Sequence, residues 1–248
     1  MRKKAANLHK KANSIEWRSH EPSRIETFSD AVFAFALTLI IVSIEVPKSF
    51  DELMETMKGT ISFGVCFALL FQIWNNQNIY FRRYALNDFY TIMVNAVLLF
   101  VVLIYTYPLK FLSMLLFSFS DGMYTKNGHE FPMMHTGQTQ PLMLIYGAGF
   151  FVIYLLFYLM YRHAAKNAAQ IGLNERELFD TKTITGINFI CMCICVVVML
   201  IGVIFPVLAG VSGFLYCSIP LAYTVWFARR GKKSRMLFGE GVATSPAT

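Results

Sequence analysis

From Thr27 to Val46 the chain reads TFSDAVFAFALTLIIVSIEV, a stretch of about 20 residues with no glycine and no proline. As an α-helix rising about 1.5 Å per residue it is about 30 Å long, the thickness of one bilayer core. Between Asp30 and Glu45 it carries no formal charge. Nothing in it asks for a break, so a membrane-spanning helix is the structure it most readily forms.

The remaining chain repeats that pattern. Hydrophobic residues make up 56% of the 248 and charged residues only 15%, against about 25% charged in ordinary soluble domains. The apolar residues fall in long runs, which predict further spans at about Thr60–Tyr80, Phe89–Phe117, Gln140–Tyr161, Thr183–Ile204 and Val207–Ala228, the last kinked at Pro220. The expected fold class is an all-α integral membrane protein with six transmembrane helices per subunit. Its expected parts are a basic leader (1–26), a six-helix transmembrane domain (27–228) and a basic, disordered tail (229–248). Residues 118–139 read as a polar loop rich in turn formers.

Six spans put both termini on one side. Of the 22 Lys and Arg residues, 18 lie in the leader, the tail and the two connections on that side. The positive-inside bias therefore makes it the cytoplasmic side. The same basic blocks would meet anionic lipid. The net charge of +7 does not indicate nucleic acid, because no stretch outside the spans is long enough to fold a basic domain.

Catalytic chemistry finds no support. The five histidines (His9, His20, His129, His135 and His163) avoid the middles of the spans, which argues against a haem or metal site in the bilayer. No span carries a charged residue at its midplane, as proton relays and coupled transporters usually do. The five cysteines lie in apolar runs and read as small buried filler, not a disulfide framework or a metal cluster. Neither enzyme nor cofactor is expected.

At 100° per residue, the first helix gathers Arg24, Phe28, Ala31, Phe35, Thr38, Leu39, Val42 and Val46 on one stripe about 60° either side of Phe35. Ser29 falls near 120° and Asp30 near 220°, away from it, and both are expected to look back into the subunit. Taken alone, such a stripe fits lipid contact or helix packing as well as a pore lining.

Arg24-x-x-x-Phe28-Ser29-Asp30 at the head of this helix resembles the first-helix signature of the transmembrane protein 175 family of potassium channels. The resemblance extends over the six spans and the basic inner loops. It implies a homotetramer whose four first helices surround a potassium pathway. Phe35, Leu39 and Val42 would form an apolar constriction, and Thr38 a hydroxyl ring favouring potassium over sodium, with no metal bound beyond transient potassium. It also implies a structural network of Arg24, Phe28, Ser29 and Asp30 with Trp74, Gln77 and Asn95 on the neighbouring helices. Gln77 stands where family members commonly have histidine, so pH dependence relying on that histidine is not expected here. A secondary transporter and a non-conducting structural membrane protein are the alternatives.

Overall fold

The computed structural model describes residues 17–19, 21–42, 48–50, 53–54, 57, 60–117, 123–126, 129–132, 137–206 and 212–238. Helix α1 is Arg24–Val42, α2 is Thr60–Tyr84 and α3 is Phe89–Phe117. Strands β1 (Met123–Lys126) and β2 (His129–Pro132) follow, then α4 (Thr139–Lys166), a single turn α5 (Ala168–Ile171) and α6 (Glu175–Ile204). A 3-10 segment at Gly213–Cys217 leads into α7 (Ser218–Phe238). Among the described residues, three segments are long and apolar enough to cross a membrane: Phe89–Leu112, Thr139–Lys166 and Glu175–Ile204. The chain is a helical membrane protein.

Several expected boundaries move, each for a local reason. Helix α1 starts at Arg24, not Thr27, because Ser23 and Glu26 form a reciprocal cap: the Ser23 amide donates to Glu26 Oε1 at 3.0 Å and the Glu26 amide to Ser23 Oγ at 3.4 Å. Its expected extension to Val46, and with it Glu45, lies outside the described residues. Helix α6 starts at Glu175, about two turns before the expected Thr183, on a second capping box between Asn174 and Glu177. The expected sixth span is divided into the 3-10 segment and α7. Pro220 falls in the first turn of α7 instead of kinking it, where its missing N–H costs nothing. Helix α7 then continues through Phe238, so residues 229–238 are helical where a disordered tail was expected. Arg230 helps to hold that extension by donating to Thr183 Oγ1 at 2.9 Å.

Within the 118–139 loop, β1 and β2 pair antiparallel, Met123 with Pro132 and Lys126 with His129. The intervening Asn127-Gly128 is a strong short hairpin signal.

Helix α1 packs on α3 and α2, while α4, α6 and α7 form a second group that meets the first through α3 and α4. Helices α1, α3 and α6 begin at the end of the bundle where Arg82, Arg83 and Arg176 lie, and α2, α4 and α7 finish there; we call it the basic end. There Tyr80, Tyr84 and Tyr161 pack ring to ring with centroids 5.1–5.8 Å apart. The Tyr80 hydroxyl donates to Met160 O at 3.2 Å. Where α3 and α4 cross, the Tyr105 hydroxyl donates to Tyr146 O at 2.7 Å. Of the cysteines, Cys66, Cys191 and Cys195 are buried as expected, whereas Cys193 and Cys217 are exposed on the subunit. Cys193 lies out of helical phase with the buried pair.

Candidate functional site

Helix α1 has two chemically distinct sides. Ser29, Phe33, Ala36 and Ile40 are buried against the bundle, the i, i+4, i+7, i+11 spacing of one helical face. The opposite side is open on the subunit. Phe28 is 59% exposed and Phe35 58%; Arg24, Ala31 and Thr38 are exposed, and Leu39 is half-buried. Val42 ends the helix, and its side chain lies outside the described residues. The open side thus contains the stripe expected from the sequence and extends beyond it to the exposed Thr27, Asp30, Ala34 and Ile41.

Within the expected stripe, the hydroxyl of Thr38 has a defined orientation. Thr38 Oγ1 donates its proton back into its own helix, to Ala34 O at 2.9 Å and Phe35 O at 2.8 Å. A hydroxyl has one proton and two lone pairs. With the proton turned inward, oxygen lone pairs remain on the open side, the polarity that a cation needs.

On the buried side a polar chain crosses three helices. Gln77 Nε2 of α2 donates to Asn95 Oδ1 of α3 at 2.5 Å, and Asn95 Nδ2 donates to Ser29 Oγ at 3.0 Å. Ser29 Oγ in turn donates to Ile25 O at 2.7 Å. Gln77, Asn95 and Ser29 are all at most 2% exposed. Each donor in this chain has an acceptor, as a buried polar group requires.

Asp30 bonds a neighbouring helix, as the motif implies, but it does so from an exposed flank and not from inside the subunit. It is exposed on the subunit, and its Oδ1 accepts from Trp74 Nε1 of α2 at 2.7 Å. Residues 29 and 30 are about 100° apart on a helix, so they cannot both point at one neighbour. Ser29 turns toward α3 and Asp30 toward the flank of α2. Trp74 also closes a ladder of rings along α2, in sequence with Phe71, Phe67 and Phe63 at centroid spacings of 5.3–6.2 Å, of which only Phe67 and Phe71 lie stacked. Of the seven network residues expected, the structure therefore joins Ser29, Asn95 and Gln77 in one group and Asp30 with Trp74 in another. Phe28 instead lies on the open side, and the exposed Arg24 bonds none of the motif residues.

Both ends of α1 are also held by residues not singled out in the sequence. At the start, Glu26 is buried and accepts from the Ser23 hydroxyl at 2.8 Å; the Ser-x-x-Glu spacing was the available signal. Toward the other end, Lys110 Nζ of α3 donates to Ile40 O at 3.4 Å, a long-range contact with no local sequence signature. Among the described residues, no group of three or more His, Cys, Asp or Glu is placed to hold a metal ion.

Known proteins resemble the chain along nearly its whole length. The family model for the endosomal/lysosomal potassium channel TMEM175 matches residues 24–105, which include α1, the polar chain and Trp74. A potassium channel of Marivirga tractuosa is 37% identical over 235 residues, covering 90% of this chain and 94% of that protein. A potassium channel of Chamaesiphon minutus is 31% identical over 101 residues, covering 38% of this chain. Among solved structures, the crystal structure of a T38A variant of the potassium channel MtTMEM175, bound to a nanobody–MBP fusion protein, shares 37% identity. It aligns with a TM-score of 0.76 over 89% of this chain and 97% of that chain. The TMEM175 homologue from Chamaesiphon minutus, 22% identical, has the same fold with a TM-score of 0.54. The family is one of channels and not of enzymes. On the near full-length match and the motif-bearing first helix, the chain belongs to the TMEM175 family of potassium channels, among its prokaryotic members.

Proposed function

We propose that the protein is a homotetrameric potassium channel of a bacterial inner membrane, with both termini cytoplasmic and the open side of α1 lining the ion path. Four copies of Phe35, Leu39 and Val42 form an apolar throat that resists wetting when narrow. Four Thr38 hydroxyls replace part of a permeating ion's hydration shell. Without a carbonyl cage, selectivity rests on the lower cost of stripping water from potassium than from sodium. The buried chain of Gln77, Asn95 and Ser29 and the Asp30–Trp74 bond aim α1 and do not touch the ion. The basic end of the bundle lies against anionic headgroups of the inner leaflet.

The observation that carries this reading is the hydroxyl of Thr38, among the otherwise apolar exposed residues Ala31, Ala34 and Phe35, with its proton donated to Ala34 O and Phe35 O. A stripe facing only lipid gains nothing from outward-facing lone pairs. Flux from purified protein in liposomes, with potassium and sodium compared, tests the proposal. Potassium flux set by the electrochemical gradient alone, and larger than sodium flux, is the expected result. Saturable, coupled uptake would instead identify a transporter, and no flux a structural membrane protein.

A further inference from the structure

Away from the open side of α1, a dense polar construction among the described residues centres on Arg18 at the basic end. The Arg18 side chain is 17% exposed and grips Glu177 at both oxygens, Nη1 to Oε1 at 3.0 Å and Nη2 to Oε2 at 2.8 Å. The same guanidinium donates from Nη1 to Arg83 O at 3.2 Å, from Nε to Ile171 O at 3.1 Å and from Nη2 to Gly172 O at 3.1 Å. The backbone amides of Arg18 and Ser19 both donate to Arg82 O, at 2.9 and 3.2 Å. The Arg82 guanidinium lies 4.8 Å from the centre of the Trp17 ring.

Each acceptor has a structural meaning. Arg82 O and Arg83 O belong to the last turn of α2, and Ile171 O and Gly172 O to the end of α5, where helix carbonyls lack partners and a cation is favoured. Gly172 turns the chain in a left-handed conformation, φ +73°, and so brings its carbonyl to Arg18. Glu177 is the capping-box residue of α6: its Oε2 also accepts from the Asn174 amide at 3.0 Å. One side chain therefore joins the end of α2, the connection between α4 and α6, and the start of α6. Only a short segment separates Arg18 from Arg24, and the Ser23–Glu26 cap stiffens its far end.

Helix α1 packs chiefly on α3 and α2. The leader is thus a short covalent lever from α1 to Arg18, whose hydrogen bonds and ion pair reach the α4–α6 connection. We propose that Arg18 is a positioning residue for conduction: through Glu177 and the α5 carbonyls it couples the 167–177 connection to the basic end of α1 and sets how the pore-lining stripe stands. The inference rests on the α1 pore reading. Arg18 itself does not touch the ion, so its loss changes how long the channel holds a conductance level and leaves the chemistry of discrimination at Thr38 intact.

Single-channel recording of the full chain in planar bilayers tests the coupling. Arg18→Lys keeps the charge and loses the planar fork. Glu177→Gln keeps an oxygen for the Asn174 amide and loses the charge, and it carries the test alone if Arg18→Lys fails to assemble. Each substitution should shorten the mean dwell time of the longest-lived conductance level about tenfold, with unitary conductance and the potassium–sodium reversal potential unchanged. Because both remove one interaction, the double variant should be no more affected than the stronger single one. Wild-type dwell times in assembled variants, or fully additive effects, would show that the clamp only fastens the fold. Block of Phe35→Cys channels by a thiol reagent is the parallel control. If that block occurs while the clamp variants behave as wild type, the coupling fails and the pore stands; if it does not occur, both readings fall.

Discussion

Asn95 Nδ2 donates to Ser29 Oγ at 3.0 Å, and that bond ties α3 to the head of α1 within a chain of donors that all run one way: Gln77 to Asn95, Asn95 to Ser29, Ser29 to Ile25 O. Hydrogen bonds aligned in this manner polarise and strengthen one another in a low-dielectric interior. Their direction also fixes rotation. If α1 turned by one residue, Asp30 would replace Ser29 opposite Asn95, an unpaired carboxylate would enter the bundle, and the open side would lose Phe35 and Thr38.

Truncating the middle of that chain removes two bonds together. Asn95→Ala leaves the Gln77 amide without its acceptor and Ser29 without its donor, both buried. An orphaned buried polar group costs about 1–3 kcal/mol, whereas intact interhelical bonds in membrane proteins average only about 0.6 kcal/mol. The larger figure is expected here because apolar side chains fill the surroundings. Thermal unfolding in detergent should show a lowered midpoint for Asn95→Ala, and a smaller loss for Ser29→Ala. Equal midpoints for Asn95→Ala and wild type would remove the chain from the account of how α1 is aimed.

The Asp30–Trp74 bond lies at the edge of the subunit, beside the ring ladder of α2, and its consequences should appear in assembly. Trp74→Phe keeps an aromatic ring against Phe71 and removes the Nε1 donor. Both this variant and Asp30→Ala should lower the fraction of the proposed tetramer in size-exclusion chromatography more than they alter the reversal potential. A full complement of tetramer with a changed potassium–sodium ratio would place Asp30 on the ion path instead.

The two sides of α1 were legible from its sequence because a helix without glycine or proline obeys the 100° rule along its length. The exposed Phe28, Phe35 and Thr38 and the buried Ser29 follow that phase. Asp30 also faces away from the stripe and meets Trp74, but it stays exposed, because phase alone cannot say that α2 presents its indole N–H at the flank. The bounds of α3 were readable from its uninterrupted apolar run, whereas α6 begins earlier than hydropathy suggests because its cap, Asn174-x-x-Glu177, lies among charged residues. The Arg18 clamp was not readable at all. Its partners lie 65 to 159 residues away in sequence and are mostly backbone carbonyls, which any residue type can supply.

The crossing of α3 and α4 should be intolerant of even one methyl group. A Cβ placed on Gly149 would lie 1.9 Å from the Tyr105 ring, and that ring is held by its hydroxyl bond to Tyr146 O. Overpacking of this kind typically costs about 1–3 kcal/mol. Gly149→Ala should therefore lower the unfolding midpoint, and Tyr105→Phe combined with it should recover part of the loss by freeing the ring. Unchanged stability for Gly149→Ala would mean that the two helices slide apart at little cost.

Acid stability should depend on Asp88, just before α3. Burial pushes its carboxyl up, but the Thr91 hydroxyl at 2.7 Å and His163 Nε2 at 2.9 Å hold it below the ordinary value of 3.8. A carboxyl lowered in the folded state stabilises the fold above its unfolded value, and that contribution is lost as pH falls through the folded one. The unfolding midpoint of the wild type should therefore drop below about pH 3.8 more steeply than that of Asp88→Asn. Parallel acid limbs in the two proteins would rule the pair out as a stabiliser.

Thr38 offers the sharpest test of the ion path, because its hydroxyl and its bulk can be separated. Thr38→Val keeps the branched shape and deletes the oxygen; Thr38→Ser keeps the oxygen and deletes the methyl group. The Thr38 proton is already donated to Ala34 O and Phe35 O, so the side chain acts on an ion only through its lone pairs. Serine can reproduce that arrangement, since its hydroxyl back-bonds within a helix in the same way. Under bi-ionic conditions, Thr38→Val should reduce the potassium–sodium permeability ratio about tenfold, equivalent to about 1.4 kcal/mol, while Thr38→Ser stays close to wild type. Both variants should remain assembled, because Thr38 is exposed on the subunit and its hydroxyl is directed to its own helix. Unchanged reversal potentials in assembled Thr38→Val channels would take the hydroxyl out of the selectivity mechanism and leave the apolar throat to account for it alone.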